Sequence, residues 1–119
     1  MLPLLLLPLA GCSLSSPGPL DPGPALSDVS VALDELVARF GAGDPLAAEA
    51  WTAAHQRFEA DLEPFLRGQT DAVEVARTEY GFGQVRRALA EGKDPRDAVE
   101  ALVQRLDQQV RGPRSVAVR

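Results

Sequence analysis

The 119-residue chain has one cysteine, one histidine and one methionine. With Cys12 alone, no disulfide can close within the chain and no Cys-based metal motif exists. Met1 is the only methionine and C-x-x-C-H is absent, so no haem site is expected. The sole histidine, His55, has no Ser or Cys partner in a recognisable setting. There is no Gly-rich phosphate loop and no H-E-x-x-H pair, and no enzyme is expected. Positive charge is also short. The formal net charge is −5 with no basic stripe, which argues against nucleic acid as a partner. Aromatics make up 5% of residues, so the core must rest mainly on Leu, Val and Ala. No stretch alternates apolar and polar residues for long enough to make a good strand. The length suits one domain.

The apolar residues begin at the N-terminus. Residues 1–11 read MLPLLLLPLAG, an uncharged apolar run ending in small residues before Cys12. This is the shape of a signal segment with a small-residue cleavage site, and it is too short to span a bilayer. Leu9-Ala10-Gly11-Cys12 resembles the lipobox of bacterial lipoproteins, although no Lys or Arg precedes the run. That resemblance implies cleavage before Cys12, lipidation of Cys12, and a membrane-anchored place in the cell envelope. Ser13 after the cysteine permits an outer-membrane destination by the same analogy. Residues 12–26, rich in Pro, Gly and Ser, are expected to be an extended tether. At about 3.1 Å per residue, that tether would hold a domain up to roughly 40 Å from the membrane.

Four helices are expected over residues 27–111, with a loose tail at 112–119. Val29, Leu33, Leu36 and Phe40 form one apolar stripe, and Gly41 and Gly43 stop it. Asp44-Pro45 starts the second helix, because Asp caps free N–H groups and Pro suits the first helical position. Pro64 should kink or end that helix near Arg67. Asp71 and Glu74 suit a capping box for the third, which Gly92 ends. Asp94-Pro95 starts the fourth, and Gly112-Pro113 closes it. The short connections predict an all-α, up-down-up-down four-helix bundle.

Two of these helices carry polar residues toward their apolar faces. At about 100° per residue, His55 falls within the arc of Trp51, Ala54, Phe58 and Leu62, while Glu59 and Glu63 line its shoulder. On the third helix, Arg86 and Glu79 fall about 20° and 40° from Val75, beside Phe82 and Leu89. Two readings follow. Glu79 pairs with Arg86 or His55 and the cluster fixes helix register, or His55, Glu59 and Glu79 ligate a cation. Carboxylate with imidazole suits Fe, Zn, Cu or Mn. The paired Glu-x-x-His motifs of di-iron bundles are absent. The residues alone leave both readings open.

The order of these residues adds a second resemblance. Trp51, Ala54, Phe58-Glu59, Leu62-Glu63-Pro64 and Leu66-Arg67, then Glu79, Phe82, Val85-Arg86 and Ala88-Leu89, resemble the extracytoplasmic helical domain of bacterial iron permeases. The likeness covers about residues 45–92, and the permeases' membrane helices are not in this chain. It implies a lipid-anchored accessory that binds a cation of the Fe, Zn or Cu type. Its implied ligands are His55, Glu59, Glu63 and Glu79, with Arg86 orienting a carboxylate. A membrane permease or envelope protein would then be the partner. The alternative is a ligand-free tethered adaptor of an envelope complex, presenting a surface of mixed charge.

Overall fold

Asp-Pro occurs three times in the chain, and each occurrence opens a helix. The computed structural model describes the backbone of residues 21–118 and the side chains of residues 21–111. The expected signal segment, Cys12 and the tether up to residue 20 lie outside the described residues. Helix α1 is Pro22–Gly41, capped by the Asp21 carboxylate, which accepts from the Gly23 N–H at 2.9 Å. The tether expected to reach residue 26 therefore gives way to helix at Pro22. The reason is positional. Pro22 and Pro24 sit in the first turn, where backbone N–H groups have no intrahelical acceptor to lose.

The second helical rod, α2, covers residues 47–69 in three continuous pieces: Ala47–Arg57, a π-helical turn at Phe58–Leu62, and Glu63–Gln69. Pro64 neither kinks the helix to a stop nor ends it, as its missing N–H had suggested. The π turn passes the chain around it, with the Glu63 N–H bonded five residues back to the Phe58 carbonyl. The buried residues Ala54, Phe58, Leu62 and Leu66 recur every four positions. Each four-residue step overshoots an α-helical turn by roughly 40°, so the stripe would drift off the core. One wider turn absorbs that drift and keeps all four inside.

Helix α3 is Ala72–Ala90, capped by the Asp71 carboxylate on the Glu74 N–H at 2.9 Å. The Glu74 carboxylate does not complete the expected reciprocal box; it pairs with Arg77 and Arg105. Helix α4 is Arg96–Val118 and opens on Asp94, which accepts from the Arg96 N–H at 3.0 Å. It runs through Gly112 and Pro113, so the helix does not close where the expected tail begins. The connections before α2 and α4 turn on Gly43 (φ +73°) and Gly92 (φ +72°), in the left-handed region where a side chain is strained.

The described residues are all-helical, with four helices and no strand. Helix α1 packs on α2 and α4, and α3 packs on the same two neighbours. The core between them is Val29, Leu33, Leu36, Phe58, Leu62, Leu66, Phe82, Val85, Leu102 and Leu106, all essentially inaccessible. One polar side chain is equally buried. Thr78 donates to the Gln109 side-chain oxygen at 2.8 Å, while the Gln109 amide donates to the Glu74 carbonyl at 2.9 Å. This pair ties α3 to α4 and satisfies the buried Thr78 hydroxyl.

Candidate metal centre

His55 sits at the C-terminal end of the first segment of α2, where apolar residues at positions 54 and 58 turn that face inward. Three aromatic rings surround the imidazole. Trp51 stacks on it, with centroids 4.8 Å apart and planes 19° apart. Phe82 of α3 lies tilted at 4.9 Å, and Phe58 lies at 6.3 Å. Trp51 is itself fixed, because its indole N–H donates to the Phe82 carbonyl at 2.9 Å. The ring walls hold the imidazole by shape and direct its Nε2 toward the carboxylates.

His55 Nε2 lies 2.8 Å from Glu79 Oε1 across the α2–α3 interface. It lies 3.6 Å from Glu59 Oε2, one turn along its own helix. One ligand atom from each of the three residues falls within 4.8 Å of the other two. A four-coordinate ion with bonds near 2.1 Å separates its ligands by about 3.4 Å, so side-chain adjustment alone closes the set. The side chains grade from inside to outside: His55 is 20% exposed, Glu79 35% and Glu59 49%. The set thus opens to solvent on its carboxylate side. No Lys or Arg of the described residues lies within 4.0 Å of either glutamate. Two carboxylates and one imidazole are donor types that a divalent transition-metal ion takes.

Glu63, expected as a fourth ligand, is outside this set. Its side chain is 13% exposed and pairs with Arg67 one turn on. The π turn accounts for its burial. By absorbing one residue it swings position 63 toward the core, and the carboxylate then takes the nearest cation on its own helix. Arg86 also departs from expectation. It does not orient Glu79 and is not buried. Its guanidinium lies over the Trp51 ring, 5.4 Å from the centroid, on the solvent side of α3. Of the two pairings considered for Glu79, the one with His55 forms.

Trp51 is the residue whose role the sequence understated, since it touches both His55 and Arg86. The only available signal was its position one turn before His55 on the same arc. Near Trp51, Arg39 joins the end of α1 to the turn before α2 through Glu35 (2.9 Å) and Asp44 (2.8 Å). Its guanidinium is held more firmly charged than usual, first by Glu35 and then by Asp44. The Asp44 carboxyl is held below its ordinary value, mainly by the Leu46 N–H and then by Arg39.

No protein-family model, no curated protein and no solved structure matches the chain. No described helix is long and apolar enough to cross a membrane.

Proposed function

We propose that this protein is a lipid-anchored extracytoplasmic domain that binds a divalent transition-metal ion as an accessory to cation handling at the membrane. In this reading the four helices form an up-down-up-down bundle, and Cys12 carries the anchor. His55, Glu59 and Glu79 supply the ligands, and solvent fills the remaining positions. The observation that carries the reading is the convergence of these three side chains from two helices, within 4.8 Å, without a competing Lys or Arg. Mixed imidazole and carboxylate donors suit Fe, Zn, Cu and Mn, and bundle interiors host such sites between facing helices. The ring walls around His55 would restrict its motion and so lower the cost of assembling the set. An open, three-ligand centre suits reversible uptake and delivery better than permanent structural binding.

A second reading, a tethered adaptor without a ligand, has one observation in its favour. The 2.8 Å bond between His55 and Glu79 already satisfies the imidazole without an ion. Elemental analysis and calorimetric titration of the full-length chain carrying Cys12→Ser, purified without chelator, separate the two. The metal reading expects one ion per chain, lost in His55→Gln and in Glu79→Gln. Absence of stoichiometric uptake of Fe, Zn, Cu or Mn would leave the adaptor.

A further inference from the structure

A second concavity lies beside the candidate metal centre, where the start of α2 meets the end of α3. Its volume is about 720 Å³. Phe40, Pro45, Ala48, Trp51 and Leu89 give it apolar walls, and Arg86 borders it. That size and lining match the usual pocket for a small organic ligand, in which few polar groups set orientation.

The charges around the cleft decide what kind of ligand it takes. Asp44 also borders it, but Arg39 neutralises that carboxylate at 2.8 Å. Arg86 is different. Every other Arg and Lys among residues 21–111 has a carboxylate within 4.0 Å. Arg86 has none among the described residues, and its guanidinium rests on Trp51. A guanidinium lying on an aromatic face keeps N–H donors at its edge, in the planar fork that fits a carboxylate.

We propose that this cleft binds a small amphipathic monocarboxylate: an apolar body against Trp51, Leu89 and Phe40, and one carboxylate on Arg86. A dianion such as a phosphate monoester fits less well, because a single guanidinium faces it and Asp44 stands nearby. The overall charge of −5 offers an anion no long-range attraction, so binding rests on Arg86 and the apolar walls. The site is separate from the metal ligands, although Trp51 borders both.

The test uses the full-length chain carrying Cys12→Ser, in EDTA, so that occupancy of the metal centre plays no part. Sodium octanoate is titrated while the emission of Trp51, the one tryptophan, is followed, with octanoate NMR linewidths as a second readout. Octan-1-ol serves as the uncharged control. Octanoate should saturate the change at a concentration roughly tenfold below octanol, the difference a charge-assisted hydrogen bond supports. Arg86→Gln should weaken octanoate by roughly the same factor and leave octanol unchanged. Because Arg86 is exposed and makes no ion pair, that variant keeps the fold. Ala48→Leu, which fills the cleft without touching the charge, should weaken both ligands. No saturable response in either readout would overturn the proposal, and so would octanoate binding that Arg86→Gln leaves intact.

Discussion

Trp51 lies flat on His55, with ring centroids 4.8 Å apart, and is pinned there by its hydrogen bond to the Phe82 carbonyl. The single tryptophan is therefore an internal reporter of whatever His55 binds. Stoichiometric Cu²⁺ should quench its emission steeply, because a paramagnetic ion on His55 Nε2 sits within a few ångströms of the indole. The same titration of His55→Gln should show only shallow, non-stoichiometric quenching. Equal quenching of the two proteins would mean that copper binds elsewhere.

Phe82 supports the site from the opposite helix, touching His55 and Phe58 with centroids at 4.9 Å in each case. Truncation in Phe82→Ala should cost about 3–5 kcal/mol of stability, read from urea unfolding. Phe82→Leu preserves much of the volume and the fold, but loses the flat wall against the imidazole. Its metal affinity should fall by roughly tenfold, as for other groups that orient a ligand. Unchanged affinity would show that the ring does not orient His55.

Glu79 should matter more for binding than for folding. It is about one-third exposed, and Arg86 does not depend on it. Glu79→Gln should change unfolding free energy by no more than about 1 kcal/mol. A loss of 3 kcal/mol or more would mark the His55–Glu79 pair as a buried structural element instead.

Thr78, which is fully buried, and the half-buried Gln109 link α3 to α4. Thr78→Val keeps the shape but leaves the Gln109 oxygen without its donor, at a cost of about 1–3 kcal/mol. Adding Gln109→Leu should recover part of that loss, because both halves of the polar pair are then gone. Denaturation midpoints of the single and double variants measure this. If the second change deepens the loss by its full single-variant cost, the link is not the cause.

The turn between α1 and α2 should be acid-sensitive. Folding holds the Asp44 carboxyl below its ordinary value, so it favours the charged form. The stabilisation is complete above the unfolded value of about 3.9 and disappears as pH falls through the lower folded value. Asp44→Asn should therefore be less stable than the parent at pH 7, with the gap closing below pH 4. Unfolding midpoints measured across pH 2–7 test this, and a gap of constant width would contradict it.

Helix starts and stops were largely legible because they are local. Asp-Pro at 44–45 and 94–95 and the glycines at 43 and 92 act within one turn of themselves. The start at Asp21-Pro22 uses the same chemistry, but neighbouring Gly and Pro residues gave it the composition of a tether. The meeting of His55, Glu59 and Glu79 followed from helical phase, since Glu59 stands at the start of the π turn, before the extra residue shifts the phase. Phase failed beyond the π turn, where a constant 100° step misplaces Glu63. It also failed for Arg86, because angle alone cannot distinguish a side chain that enters the core from one that lies over Trp51. The Thr78–Gln109 link joins residues 31 apart, and nothing in their local sequence announces it.

The wide turn at Phe58–Leu62 stores one residue more than an α-helical turn would hold. Removing a single residue from it, such as Ala60, would restore an uninterrupted α-helix. His55 would keep its heading, and because the wide turn already absorbs one residue, Leu62 and Leu66 would keep theirs to within roughly 20°. Pro64 would then face the carbonyl four residues before it, a clash that the wide turn relieves. The wide turn thus lets α2 carry one residue more than its core stripe needs while both halves stay aimed at the core, much as a pleat takes up spare cloth.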